Sequence, residues 1–118
     1  MIGLNYLGKM GQLGNQMFQY AALKGIANNR GLEYIVPNHK EVLEDGLGNQ
    51  LRIELYDAFD IYPKNQGLLP TNEYVQEAYF HFDKDLYNEC PDNCSIVGYF
   101  QSEKYFIHIR EEIVKDFK

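Results

Sequence analysis

Residues 8 to 25 of the chain read GKMGQLGNQMFQYAALKG, a glycine-spaced loop that runs straight into a predicted helix. A glycine stands at every third position at its start, and apolar residues follow at helical spacing. The apolar run at residues 2 to 7, just before it, is typical of a strand. We therefore predict a strand, a glycine loop and a helix over about residues 15 to 29, the order that opens an α/β fold. The glycines are Gly8, Gly11 and Gly14.

The helix after the glycine loop is predicted to turn one apolar face toward the core. That face consists of Phe18, Ala21, Ala22, Gly25 and Ile26. The polar positions that fall off this face are Gln16, Gln19, Lys24 and Arg30. Gly31 follows directly, as is typical of a glycine that ends a helix.

Two further segments complete an open α/β pattern. Residues 32 to 36 and 95 to 100 are typical of strands, and Ser102 is placed to cap a final helix. Apolar residues recur in that helix at helical spacing, at Phe106, Ile109, Ile113 and Phe117. Because short connections of this kind favour right-handed βαβ units, we predict a Rossmann-like open parallel sheet.

The polar excursion from about residue 40 to 93 is less regular. Residues 51 to 55 alternate as a half-exposed strand would, whereas residues 56 to 59 fit a short helical turn equally well, and both interpretations stay open. Phe80 and Phe82 predict a short extended segment with His81 facing outward.

A structural turn and a ligand-binding loop are about equally consistent with the glycines. As a ligand loop, the segment would offer an anionic oxygen the unpaired N–H groups of the helix start. A nicotinamide cofactor is disfavoured, because such a site typically has an acidic residue at the end of the second strand. Here that strand runs into Pro37, and its carboxylate, Glu33, lies at the wrong end.

Asn15 and Gln16 shift the balance toward a ligand loop. Asn15 could serve as the helix N-cap, but Gln16 has no such explanation. Two adjacent carboxamides on the rim of a loop offer donors and acceptors to hydroxyl-rich ligands such as sugars. We therefore predict that Gly11, Gly14, Asn15 and Gln16 bind substrate.

Tyr99 and Gln101 are further predicted substrate-binding residues. They lie at the end of a predicted parallel strand, and open α/β sheets bind ligands beyond the carboxyl ends of their strands. The structural alternative is that Tyr99, like most of the ten tyrosines, packs in a partly buried position.

Three segments resemble a known family. GQLGNQMFQYA at residues 11 to 21 is similar to the N-terminal signature of the alpha-1,2-fucosyltransferases, glycosyltransferase family 11. GYFQSEKYF at residues 98 to 106 and EAYFHFD at residues 77 to 83 resemble two further blocks of that family. They occur in the family's order and together span nearly the whole chain.

The resemblance implies the transfer of L-fucose from GDP-fucose to the 2-hydroxyl of a galactose-type acceptor, with inversion and without metal or cofactor. It also implies a fold like the N-terminal half of a two-domain, GT-B-like glycosyltransferase. The expected partners are therefore a sugar nucleotide and a galactose-containing glycan.

The resemblance covers residues 1 to 118 as the N-terminal part of a catalytic domain, so the C-terminal, donor-binding part would be absent. The family's His-x-Arg-Arg-x-Asp motif, which holds the diphosphate, is attributed to that part. His108-Ile109-Arg110-Glu111-Glu112-Ile113 imitates its first three positions and then departs from it. The catalytic residues therefore stay unknown, and His108 is predicted to be a surface residue.

Two hypotheses on function follow. The chain is either an incomplete enzyme, inactive alone and active in association with its C-terminal half, or a non-catalytic remnant that binds carbohydrate or a protein partner. A formal net charge of −6 disfavours nucleic acid and anionic membranes as partners. Some family members are membrane-anchored, but this chain has neither a signal peptide nor a spanning run, so a cytoplasmic location is expected.

Cys90 and Cys94 bracket a turn sequence that should bring their thiols together. Two cysteines cannot complete a zinc site alone. We expect free thiols in a reducing compartment, with a local disulfide as the alternative.

Overall fold

The computed structural model describes residues 1–7, 13–37, 43–44, 50–51, 55–59, 61, 63–78 and 81–117. In chain order the elements are β1 (Ile2–Gly3), α1 (Leu13–Arg30), β2 (Tyr34–Ile35), β3 (Leu43–Glu44), β4 (Gln50–Leu51), α2 (Leu55–Ala58), β5 (Tyr74–Gln76), α3 (Lys84–Glu89), β6 (Cys94–Val97) and α4 (Arg110–Asp116), with 3-10 turns at Glu103–Tyr105 and Ile107–Ile109.

Four of the strands form one open sheet in the order β2-β1-β6-β5. Every pairing in it is parallel, with Ile2 opposite both Tyr34 and Cys94. The predicted α/β class with an open parallel sheet is therefore confirmed, and the topology is compatible with a Rossmann-like fold.

The sheet is built from two βαβ units that advance in the same direction. The first runs from β1 through α1 to β2, and the second from β5 through α3 to β6. Right-handed crossovers in the same direction place both helices on one face of the sheet. Accordingly α1 and α3 are in contact, and Arg30 Nε donates to Cys90 O at 3.2 Å across their junction.

Helix α1 is buried around most of its circumference, which corrects the predicted faces. Gln16, Gln19 and Lys24 are buried, whereas Phe18 is 37% exposed. The reason is that α1 packs on the sheet and is also covered by the chain at residues 103–117. The polar positions therefore lie against a second layer of protein, and Arg30 alone of the four is exposed as the spacing suggested.

Lys24 shows how this second layer accommodates a charge. Its ammonium group lies 2.7 Å from Glu112 Oε1 and 2.6 Å from Asp116 Oδ2, both on α4. Burial alone would lower the pKa of Lys24, but the hydrogen bonds to Asp116 and Glu112 outweigh it and raise the pKa. A buried cation is thus paired, which ties α4 to the middle of α1.

Among the glycines that the structure describes, Gly25 on α1 is approached most closely by other backbone. A Cβ built at Gly25 would stand 1.9 Å from the carbonyl oxygen of Tyr105 and 2.9 Å from the Cα of Phe106. Only glycine allows this approach. His108 closes the same contact, because its Nε2–H donates to Gly25 O at 3.0 Å.

Gly31 ends α1 as predicted. Its φ is +68°, and the N–H of Leu32 donates back to Ala27 O at 2.9 Å, which satisfies a carbonyl of the last turn. The helix begins earlier than predicted, at Leu13. In the part of the chain that the structure describes, no helix combines the length and the apolar character needed to cross a membrane.

The strands are shorter than predicted because side chains and left-handed residues interrupt them. After β1, the chain turns at Asn5, whose Nδ2 and Oδ1 bond to the backbone O and N of Leu69 at 3.0 and 2.8 Å. β6 stops at Val97, before two residues with positive φ, Gly98 and Phe100.

Within the excursion, the strand expected at residues 51 to 55 is observed at Leu51 but not at Leu55, and the expected helical turn is observed. Leu51 belongs to β4, which pairs antiparallel with β3, and residues 55–58 form the one-turn helix α2. Phe82 packs on the core, and His81 is exposed as predicted. Gly8, Phe80 and residues 52–54 lie outside the described residues.

The predicted final helix is divided. Ser102 caps it, its Oγ accepting from the N–H of Lys104 at 3.3 Å, but two 3-10 turns precede α4. Phe106, with a φ of −135°, interrupts the helical backbone at the point where the chain crosses Gly25. Of the predicted apolar positions, Ile113 is buried and the other three are partly buried.

We expect Gly25→Ala to lower the free energy of unfolding by about 2 kcal/mol or more, because the backbone at Tyr105 must shift away from α1. Gly14→Ala is the matched control in the same helix, where nothing lies within 4 Å of an added Cβ. It should leave stability unchanged or raise it by up to about 1 kcal/mol. Urea denaturation of the two variants checks this, and equal effects would contradict the close approach.

Candidate functional site

The candidate site lies at the carboxyl edge of the sheet, where β1 and β6 end side by side. The chain leaves β1 toward the start of α1 and leaves β6 toward residues 98–101. Ligands of open α/β sheets bind at this edge. Of the predicted substrate-binding residues that the structure describes, Gly14, Asn15 and Gln16 lie at the start of α1, and Tyr99 and Gln101 follow β6.

Asn15 and Gln101 meet directly. Gln101 Nε2 donates to Asn15 Oδ1 at 2.6 Å, although the two residues are 86 positions apart in the chain. Asn15 is the third residue of α1, so the alternative that it serves as the helix N-cap is wrong. Its side chain is instead directed to Gln101, which is exposed.

Tyr99 lies two residues before Gln101 in the sequence and is 41% exposed. Its neighbours Gly98 and Phe100 are buried, so the chain anchors on both sides of it. The tyrosine therefore reaches solvent two residues after the end of β6, and its role in binding substrate stays a prediction.

Gln16 is placed differently from the prediction. Its side chain is 1% exposed, and its Oε1 accepts the N–H of Leu55, the first residue of α2, at 3.0 Å. The expectation of a second carboxamide on the rim of the loop is thus wrong for this residue. The first N–H groups of a helix have no acceptor within that helix. The carboxamide of Gln16, on α1, supplies an acceptor for the first N–H of α2.

Of the two glycines predicted to bind substrate, the structure describes Gly14 but not Gly11. Gly14 is exposed, and a Cβ there would meet nothing within 4 Å, so the surface beside Asn15 is open. Gly11 lies outside the described residues. A binding role for either one stays a prediction.

The backbone that presents Tyr99 and Gln101 is strained. Phe100 has a φ of +52° although it carries a bulky side chain, and Gly98 before it has a φ of +157°. A residue held in this left-handed region costs about 1–3 kcal/mol, and such residues persist where their surroundings fix them. Phe100 is completely buried and packs edge-on against the ring of Tyr105 at 5.3 Å.

A polar network beneath the edge fixes this turn. Glu77 Oε1 accepts the N–H of Phe100 at 3.1 Å, and Glu77 Oε2 accepts the hydroxyl of Tyr105 at 2.5 Å. The same hydroxyl accepts the N–H of Asp83 at 2.7 Å, and Asp83 in turn caps α3. Burial and the bond to Glu77 raise the pKa of Tyr105, which keeps its proton as the donor.

Sequence reasoning missed the role of Glu77 and of Asn5. Glu77 follows β5 at the same carboxyl edge, and that position was the available signal. Asn5 lies within the apolar run at residues 2 to 7, but its carboxamide pairs with the backbone of Leu69 and its N–H donates to Ser95 Oγ at 3.0 Å.

His108, Ile109 and Arg110, which match the first three positions of the His-x-Arg-Arg-x-Asp motif, lie along a shallow groove. This groove, about 920 Å³ in volume, is lined by residues 107–112, 114 and 115, which include Arg110 and Lys115 together with Glu111 and Glu112. His108 is exposed as predicted, and its Nδ1 accepts the Tyr87 hydroxyl at 3.2 Å while its Nε2 serves Gly25. Mixed charges and an engaged histidine do not make an anion site.

Cys90 and Cys94 lie close together at the junction of α3 and β6, as predicted from their turn sequence. Their sulfurs are 3.4 Å apart, unbonded and buried. The hydrogen bond that the Cys90 thiol gives to Cys94 raises the pKa of Cys90 and lowers that of Cys94. Among the described residues no three His, Cys, Asp or Glu side chains converge as metal ligands would.

We expect Gln16→Leu to lower the free energy of unfolding by about 1–3 kcal/mol, because the buried N–H of Leu55 loses its acceptor. The adjacent Asn15→Ala should cost under about 1 kcal/mol, since its partner Gln101 is exposed to water. Urea titrations of both variants measure the difference. A larger cost for Asn15→Ala would contradict the assignment of Gln16 to the core.

The chain was also compared with known proteins. No protein-family model, no curated protein and no solved structure matches it. The likeness to the alpha-1,2-fucosyltransferases therefore rests on the three sequence segments, and the α/β class rests on the topology of the sheet.

Proposed function

We propose that this chain is the N-terminal, Rossmann-like part of a GT-B-like alpha-1,2-fucosyltransferase, and that its carboxyl edge forms one wall of the substrate cleft. The hydrogen bond between Asn15 and Gln101 carries the proposal. These residues come from two separate segments that resemble the family, and their meeting is independent of that resemblance. Glu77 and Tyr105, from the second and third segments, meet directly below.

The carboxamide pair suits a sugar hydroxyl. Its internal bond uses one N–H of Gln101 and one acceptor site of Asn15. The Oε1 of Gln101 and the amino group of Asn15 have no partner within the described ranges, so they can accept from and donate to the same hydroxyl. Tyr99, two residues before Gln101, is exposed and has an apolar ring face that suits a sugar.

In the proposed reaction the oxygen of the acceptor's 2-hydroxyl attacks the anomeric carbon of fucose. The bond from that carbon to the diphosphate breaks, GDP leaves, and the hydroxyl proton passes to a base. The contribution of this wall is to hold the acceptor in position, which lowers the entropic part of the barrier. Charge stabilisation at the diphosphate falls to the C-terminal part that the resemblance implies.

A second candidate is a non-catalytic module that binds carbohydrate or a protein partner. It is favoured by the charges of the described residues, because the site's polar groups are neutral amides and Arg110 shares its groove with two carboxylates. The two candidates separate on the bases that follow codon 118. A coding stretch for His-x-Arg-Arg-x-Asp there supports the enzyme, and its absence in all frames supports the module.

Calorimetric titration of the purified chain with GDP-fucose should show no measurable binding. The reason is that the described edge offers a diphosphate neutral amides instead of paired cations. Clear, saturable heats would overturn the assignment of donor recognition to another part of the enzyme.

Lactose should bind weakly to the carboxyl edge, with a dissociation constant on the order of millimolar. In NMR spectra of the ¹⁵N-labelled chain, the side-chain amides of Asn15 and Gln101 and the backbone of Tyr99 should shift. Gln101→Ala should abolish these shifts. Gln66→Ala is the matched control, since it removes another exposed glutamine, and it should change nothing. Shifts confined to other residues would refute the proposed site.

A further inference from the structure

The turn at residues 98–101 needs an external support. Phe100 holds a left-handed backbone that its side chain disfavours, and nothing in its own sequence requires it. Tyr99 and Gln101, on either side of Phe100, are exposed and form part of the proposed sugar site. The direction in which they point therefore depends on what holds Phe100.

Glu77 holds Phe100 from the neighbouring strand. Its Oε1 accepts the N–H of Phe100 at 3.1 Å, and its own N–H donates to Val97 O at 2.8 Å. A Cβ at Gly98 would stand 2.7 Å from the Cβ of Glu77, so the side chain lies directly against the turn. Glu77 thus contacts the last residue of β6, Val97, and both Gly98 and Phe100 in the turn.

A carboxylate is required at this place because it must accept twice. Tyr105 donates its hydroxyl to Oε2 at 2.5 Å, and that hydroxyl already accepts the N–H of Asp83. A glutamine could accept from only one of the two donors, and its amino group would face the other. Replacement of Glu77 by glutamine therefore either breaks the bond to Phe100 or leaves the O–H of Tyr105 without this acceptor.

We infer that Glu77 is a positioning residue of the sugar-binding edge: by fixing Phe100 in its left-handed conformation it keeps Tyr99 exposed and Gln101 bonded to Asn15. This inference rests on the proposed function for its ligand. Its structural part, the dependence of the turn on Glu77, is independent of that ligand.

The test compares Glu77→Gln with Glu111→Gln, which removes the same charge from an exposed position on α4. In ¹⁵N-labelled protein, Glu77→Gln should lower the hydrogen-exchange protection of the Phe100 amide about tenfold. Under conditions in which both variants are fully folded, it should also weaken lactose binding about tenfold, because the binding-competent turn is less populated. Glu111→Gln should match the parent chain in both measurements.

These measurements distinguish a role of Glu77 in positioning the turn from a role in stability alone. A role confined to stability would lower the unfolding midpoint and leave the lactose affinity of the folded protein unchanged, and that result overturns the inference. Unchanged protection of Phe100 in Glu77→Gln overturns it as well. If the parent chain does not bind lactose, the proposed function fails on this probe, and the exchange of Phe100 alone decides whether Glu77 fixes the turn. Glu77→Asp, one methylene shorter, should reproduce the loss if the reach of the carboxylate matters.

Discussion

The close approach of the chain at Tyr105 and Phe106 to Gly25 is the constraint on which the rest of the structure depends. With only a hydrogen on Gly25, residues 103–117 can lie directly across α1. That crossing buries a second side of the helix and brings α4 to Lys24. It also carries Tyr105 to Glu77 and sets Gln101 beside Asn15. The packing of the core and the geometry of the candidate site therefore both depend on the contact between Gly25 and residues 105–106.

The fold class was predictable because its signals are periodic and local. Apolar runs, the helical spacing after residue 12 and Gly31 at the helix end required no knowledge of distant residues. The environment of Gln16 and Lys24 was not predictable, since their partners, Leu55 and α4, lie far away in the sequence. The strand ends were misplaced for a related reason: the side chain of Asn5 and the left-handed residues after β6 end the strands, and neither shows in an apolar pattern.

For the site, the general rule that ligands bind beyond the carboxyl ends of parallel strands was enough to select Tyr99 and Gln101. The pairing of Gln101 with Asn15 followed from the topology, in which β1 and β6 are neighbours. The role of Glu77 was not predictable, because it depends on the positive φ of Phe100. The residue type at position 100 does not indicate that angle. Side chains that act through a neighbour's conformation become visible only in three dimensions.

The pairing of β1 with β6 has a kinetic consequence. Ile2 lies opposite Cys94, and Asn15 bonds to a residue 86 positions away, so the site joins the two ends of the described chain. Contacts of such long range form slowly, because most of the loop entropy must be lost first. A sugar that bridges Asn15 and Gln101 would bind only after this closure, and by mass action it would stabilise the native state over every partly folded one. Occupancy of the site would then report that folding is complete.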